Sequence, residues 1–447
     1  MKPRVLVFTC LATVAAGGVT VGNARASVPG AIGGRATATD TTVLALRHAT
    51  VIDGTGAPPV PGRTVLIRDG KIAAVYATGS RPLPAGARTE DLSGRWLIPG
   101  LIDAHVHLTG AAPDMEGYRK LLGWALGNGI TSVRDMAGDD RILAYLSRQA
   151  ATGDIVSPRI SYAALMAGPT FFAEDGRAQA ASAGDVLGQA PYMRQITGAT
   201  DLSLAVAAAK GTGATALKLY ANLPVSLVRG LTAEAHRQGL LVWTHATIFP
   251  AGPMDAVRAG ADAISHSAYL AWAAADRIPR DYAARARADY LHIAPDDPRI
   301  LAVLDSMKAR GTILDATLWV FAHEAAEDPG SVGPGLVDWE SAVTREAHAR
   351  GVLVDAGTDD LGSPDDTVPN LHREMAYLVE HAGFTPLEAI VAATRVSAMA
   401  IGQSATRGTI TPGQRADLVV LSADPTADIH NTRRVVRVFQ EGRAHER

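Results

Sequence analysis

Between about residues 99 and 402 the chain alternates, eight times over, a short apolar run with an alanine-rich stretch whose apolar residues recur at three- and four-residue spacing. The short runs read as strands buried on both faces and the intervening stretches as amphipathic helices. Alternation of this kind builds a parallel sheet, and eight such units close as a barrel. The candidate strands are 101–107, 131–135, 159–163, 216–220, 241–245, 263–267, 312–318 and 352–355, with helices expected over 116–127, 202–209, 225–238 and 371–381. Two connections, 164–200 and 268–300, are long, and each follows a strand, on the side where barrel enzymes build substrate walls.

Outside this repeat the texture changes. Segments 43–46, 64–67, 72–75 and 96–98 are short strand-like runs separated by Asp53-Gly54, Asp69-Gly70 and Ser93-Gly94 turns, and 417–421 and 435–439 look alike at the far end. The two ends are expected to pair. The expected fold class is α/β, a (β/α)8 TIM barrel over 99–402 with a small β-sandwich satellite domain built from 42–98 and 403–447.

Residues 1–26 combine a basic start (Lys2, Arg4), an apolar stretch over 5–21 and the exit Ala24-Arg25-Ala26, the pattern of a secretory signal cleaved after Ala26. The apolar stretch, interrupted by Gly, Thr and Ala, is short for a stable membrane anchor. Residues 27–41, rich in Gly, Ala and Thr without period, read as a flexible leader. A secreted or periplasmic protein is expected. Cys10, the sole cysteine, lies inside the signal in a context that fits lipidation poorly, so the mature chain would carry no disulfide, thiolate ligand or cysteine nucleophile. Any metal would be held by His, Asp, Glu or Lys. With 42 Lys+Arg against 45 Asp+Glu and no run of like charge, nothing points to nucleic acid. The expected partner is a small-molecule substrate, and a homo-oligomer is compatible with this reading.

The first candidate strand ends in His105-Val106-His107, where a two-residue spacing points both imidazoles to one side, here the barrel interior. Alone, such a pair is a weak signal. His245, His266 and Asp359 also fall at or just beyond the ends of strands five, six and eight, the catalytic rim of a barrel. Lys218 ends strand four, where a bare ammonium among metal-bound imidazoles would be repelled. Either it pairs with an acid such as Asp135, or its amine has reacted with carbon dioxide to give a carbamate, which inverts the charge and can bridge two cations. Tyr220 shares the face of Lys218 and is a candidate for substrate contact, the alternative being packing under the rim. His323, after strand seven, is a second pocket candidate. Of Arg134 and Asp135 only one can point inward. His292, Trp272 and Phe171-Phe172 lie in the long connections, as a lid contact or an apolar wall. His236, His348, His372 and His381 fall in expected helices and read as surface or core groups.

The runs LIPGLIDAHVHL, GITSVRDMAG, KLY, THA, ISH, AGTD and GTITPGQRADLVVLSADP occur in this order, the first six each at a strand end. Together they resemble the metal-dependent amidohydrolase superfamily, in its imidazolonepropionase-like and exported prolidase-like branch, over about residues 42–443. The resemblance implies two divalent metals, usually zinc: His105, His107 and Asp359 on the first, His245 and His266 on the second, and Lys218 as the carboxylated bridge. Ser265 departs from the Glu common before this histidine, which puts a contact behind the ligand in doubt. The implied reaction is hydrolysis of an amide, of a dipeptide (as in a prolidase) or an N-acyl amino acid. A metal-bridging hydroxide attacks, and Asp359 as general base takes the water's proton and passes it to the leaving nitrogen. Alternatives are hydrolysis of a cyclic amide, lactone or phosphoester by the same site, and a catalytically inactive secreted binding protein. A pocket cation placed for a free carboxylate favours the peptide-like substrate, and its absence the cyclic or neutral one.

Overall fold

The computed structural model describes residues 43–112 and 114–445; the signal and leader expected over 1–26 and 27–41 lie outside the described residues. Eight parallel strands, Leu101–Val106, Ile130–Asp135, Arg159–Ala167, Ala216–Leu219, Leu241–His245, Ala263–Ser265, Ile313–Asp315 and Val354–Asp355, pair in chain order. The last meets the first through Ala104 N–H to Ala356 O (2.9 Å) and Asp359 N–H to His105 O (2.8 Å), which brings the barrel close to closure. This is the (β/α)8 barrel that the alternation implies. An apolar floor of Ala163, Ala216, Trp243, Ala263 and Ile313 fills one layer of its interior.

The helices form for ordinary reasons. Met115–Gly127 starts at Asp114, whose side chain accepts the N–H of Gly117 at 2.8 Å, and it buries Leu121, Leu122, Ala125 and Leu126 on one face. Each such leucine contributes about 1.5–3 kcal/mol on burial. Strand seven is shorter than the apolar run 312–318 suggested. The chain turns at Thr317 in left-handed backbone (φ 54°) and continues as the helix Leu318–Glu327. Asp315 and Thr317 mark the change only weakly, with no glycine or proline at it, so a largely apolar run hides a strand, a turn and a helix start.

The long connections are structured. Strand three runs on to Ala167, where Met193–Gln195 takes over the edge beside it, and the helices Pro169–Glu174 and Gly176–Ala181 lie between. The second connection holds the 3-10 segments Ser267–Ala274 and Tyr282–Arg287.

Strands from both chain ends form one eight-stranded mixed sheet. Its seam is the antiparallel pair Leu418–Leu421 and Trp96–Pro99, which runs directly into the first barrel strand at Leu101. Leu46, Val65, Ile67, Leu97, Leu418 and Phe439 pack its core. The short strands Arg88–Asp91 and Arg443–His445 were not legible in sequence; both are charged and partly exposed, with no apolar alternation to reveal them.

Candidate metal centre

His105 lies in strand one and His107 just past it, and their shared parity brings both Nε2 atoms to Oδ1 of Asp359, at 3.0 and 3.2 Å. Asp359 follows strand eight in left-handed backbone (φ 59°), a conformation that costs a non-glycine residue about 1 kcal/mol or more and is held here by its N–H bond to His105 O. Two residues earlier, any Cβ on Gly357 would overlap Asp315 Oδ1 and the His105 side chain. The glycine of AGTD is there for this close approach.

His245 ends strand five. His266 follows strand six, again in left-handed backbone (φ 68°), with Nδ1 2.9 Å from Thr317 Oγ1. The His266 ring lies 5.1 Å from that of His105 and 4.8 Å from that of His245. One donor atom each from His105, His266 and Asp359 lie within 4.8 Å of one another. The two expected ligand sets therefore share one chamber.

These donors fit a divalent cation. Asp315 Oδ2 lies 2.6 Å from His105 Nδ1 and 2.9 Å from Arg134 Nη2. Burial works against its charge, but His105 and Arg134 outweigh it and keep Asp315 ionised. Asp315 thereby fixes the His105 ring with Nε2 turned towards Asp359. That Nε2 lies 3.0 Å from a carboxylate oxygen without hydrogen-bond alignment, and it has no hydrogen-bond partner among the described residues. His245 Nδ1 is likewise buried and unpartnered. Burial pushes His245 well below the usual imidazole range and His266 down to about 3, so both are neutral and free to donate to a metal. Asp359, despite burial, is brought well below the carboxylate range by His105 and His107. A set of nitrogen and oxygen donors suits zinc or a similar divalent ion.

Lys218 is fully buried, and its Nζ donates to Ser265 Oγ at 3.2 Å. Among the described residues no carboxylate oxygen comes within 4.0 Å of it. Asp135 instead accepts the N–H groups of Leu108 (2.7 Å) and Ala137 (3.0 Å). Burial lowers the Lys218 pKa to about 7 against the pull of Asp315. Ser265 Oγ donates onward to Asp315 Oδ2 at 2.8 Å, so the hydroxyl that departs from the family pattern links Lys218 to the residue orienting His105. Arg134 is the inward-pointing member of its pair. It lies 3.5 Å from Asp355, with its guanidinium 4.8 Å over the Trp243 ring. Asp315 escaped the sequence reading, although a lone acid inside the apolar run 312–318 was a visible signal.

Beside the imidazoles, a cleft of about 470 Å³ opens between the two long connections, lined by Phe171, Arg177, Asn222, Tyr282 and Arg285 among others. The Tyr220 ring lies 4.1 Å from that of His245, and its hydroxyl meets Arg177 Nη2 (3.2 Å) and the Tyr282 hydroxyl (3.1 Å). Tyr282 in turn stacks on His245 at 5.3 Å and 24°. Phe171 packs on Tyr220 at 4.9 Å, and Trp272 Nε1 donates to Arg285 O at 3.1 Å. His323 lies on the helix Leu318–Glu327 with its ring stacked on Trp319 (5.5 Å, 12°), and His292 pairs with Asp289 at the surface. Arg177, Tyr282 and Arg285 gave no signal in sequence, because their loops carry no periodicity and meet the centre only through the fold.

A (β/α)8 barrel with imidazoles, a carboxylate and a buried lysine at its C-terminal rim defines a hydrolase of the metal-binding type. Residues 96–444 match the Amidohydrolase family, and the chain belongs to that family. It is 27% identical over 398 residues to ochratoxinase of Aspergillus niger, covering 78% of this chain and 73% of that protein. It is also 27% identical over 397 residues to imidazolonepropionase of Chromobacterium violaceum, covering 84% and 90%. The solved structure of A. niger ochratoxinase matches with a TM-score of 0.73 at 23% identity, over 91% of this chain and 96% of that one. A Xaa-Pro dipeptidase with bound methionine in the active site matches with a TM-score of 0.72 at 21% identity, over 91% and 100%. These two likenesses bear on the fold. The protein is a hydrolase acting on carbon–nitrogen bonds. Among the described residues no helix is long and apolar enough to cross a membrane.

Proposed function

We propose that the protein hydrolyses the amide bond of a dipeptide or an N-acyl amino acid at a two-metal centre. His105, His107 and Asp359 would hold one ion, His245 and His266 the other, and Lys218, as a carbamate, would bridge them. The observation that carries this reading is the convergence of His105, His266 and Asp359, one donor atom each within 4.8 Å of one another, with His105 Nε2 and His245 Nδ1 lacking a hydrogen-bond partner among the described residues. Among the described residues no carboxylate oxygen lies within 4.0 Å of Lys218 Nζ, and reaction of its amine with carbon dioxide, R–NH2 + CO2 → R–NH–COO⁻ + H⁺, would turn a buried amine into an anionic ligand.

When bound, the ions lower the pKa of water and polarise the scissile carbonyl. Asp359, whose Oδ1 faces both His105 and His107, accepts a proton from the attacking water and returns it to the departing nitrogen. One water is consumed, and a carboxylic acid and an amine are released. Asp315 holds His105 in the tautomer that presents Nε2. A cation in the cleft, Arg285, favours a substrate bearing a free carboxylate over a cyclic or neutral one. Export directed by residues 1–26 would place this activity in the periplasm or outside the cell, a setting for scavenging.

The test is a panel of dipeptides, N-acyl amino acids, lactones and organophosphates, assayed with zinc-reconstituted enzyme in bicarbonate. We expect kcat/KM for the acid-bearing amides to exceed that for the lactones and phosphoesters by about 100-fold or more. Preference for a lactone or phosphoester would replace this reading. Metal-loaded protein that turns over nothing would favour a binding role.

A further inference from the structure

We propose that Arg285 selects the substrate by gripping the free α-carboxylate of the amino acid whose nitrogen leaves. This rests on the amide-hydrolase reading above and names the group that gives that site its specificity.

Two cations line the cleft, and they differ in what already holds them. Arg177 is committed: Nε and Nη2 meet the two oxygens of Asp175 at 3.2 and 2.7 Å, and Nη2 also meets the Tyr220 hydroxyl. Arg285 has no carboxylate oxygen within 4.0 Å among the described residues. Its guanidinium lies 4.3 Å over the Tyr282 ring, and that ring also stacks on His245 of the metal centre. Tyr282 thus contacts both an imidazole of the metal centre and a guanidinium that lines the cleft. The Tyr269 hydroxyl also meets this side chain, but with its face on an aromatic ring and no carboxylate beside it the guanidinium still offers N–H groups to a planar anion, and a carboxylate fits that fork.

The acids nearby do not occupy it: Glu324, which feels the Arg285 charge, has no oxygen within 4.0 Å of it among the described residues. Asp175 is held by Arg177, Asp281 caps the following turn by accepting the Ala283 N–H at 2.8 Å, and Glu174 is exposed. The segment is also pinned in place. Asn222, in left-handed backbone (φ 56°), accepts the Tyr282 N–H at 2.7 Å and donates to Thr170 Oγ1 at 2.7 Å, tying both long connections to the end of strand four. Arg285 O accepts from Trp272 Nε1. Little ordering is left for the substrate to impose, which is where a preformed site gains affinity.

The test uses a matched pair of probes, N-acetyl-L-leucine and N-acetyl-L-leucinamide, which share the scissile acetyl amide and differ only in the carboxylate. Release of acetate is followed with zinc-loaded wild type, Arg285→Gln and Arg285→Lys. The wild type is expected to prefer the acid, and Arg285→Gln to lower kcat/KM for the acid about 10- to 100-fold, mainly through KM, while changing the carboxamide less than about threefold. Arg285→Lys, which keeps the charge and loses the fork, should recover part of the preference. An acid preference unchanged in Arg285→Gln, or absent from the wild type, overturns the proposal. If the wild type cleaves neither probe, the N-acyl amino acid reading fails by itself, and calorimetry with N-acetyl-L-leucine decides the carboxylate grip. Binding weakened about tenfold or more in Arg285→Gln supports it, and equal binding to both proteins overturns it.

Discussion

Replacing Asp359 by asparagine is expected to reduce kcat about 1,000-fold or more while leaving the folded chain and part of its metal in place. A factor of that size corresponds to about 4 kcal/mol of transition-state stabilisation. The amide is isosteric and can still present an oxygen to the chamber, but it cannot accept the water's proton, and the imidazoles of His105 and His107 lose the anion they face at 3.0 and 3.2 Å. Asparagine tolerates the left-handed backbone at this position (φ 59°), so the turn that closes strand eight onto His105 should survive. Steady-state kinetics beside elemental analysis and a thermal melt check the claim. Turnover near the wild-type value would remove Asp359 as the base.

Lys218→Ala is expected to bind no more than one ion where the wild type binds two, with activity lowered by about 1,000-fold or more. The residue is fully buried at the base of the chamber, and its removal leaves a small hole between the two ligand sets. If a carbamate is the missing bridge, a short free carboxylate such as propionate can enter that hole and supply the same two oxygens, so it should restore part of the activity and of the second ion. Acetamide, of similar shape but neutral, should restore nothing. An unchanged stoichiometry of two ions in Lys218→Ala would defeat the carbamate assignment.

Much of the architecture was open to a reading of the residues, because the barrel is written in a local code. Each strand is a short apolar run, each helix a three- and four-residue repeat, and the helix Leu371–His381 and the strand Leu241–His245 have the limits expected of them. The gathering of His105, His107, His245, His266 and Asp359 was legible for the same reason. Topology alone carries strand ends to one rim, and parity decides which side chains face inward. What escaped depends on contacts between distant segments. Asp315 matters because it lies 2.6 Å from His105 Nδ1, a relation across 210 residues that no spacing encodes. Arg285 and Tyr282 sit in an aperiodic connection, and their place beside His245 is set by Asn222 and Trp272. His323, expected in the pocket after strand seven, instead stacks on Trp319 in a helix whose start is hidden inside a largely apolar run. The Ser265 departure shows the opposite lesson: a substitution that weakens a family pattern on paper turns out to connect Lys218 to Asp315.

The central claim is that five side chains from distant strands, joined by Lys218, hold a pair of ions. The most direct measurement is metal analysis of the intact chain prepared with zinc and bicarbonate, joined to anomalous diffraction from its crystals. Two ions per chain between His105, His107, His245, His266 and Asp359, with density for a carboxyl group on Lys218 Nζ, is the result expected. Metal-replete protein in which no ion lies between these side chains would contradict it.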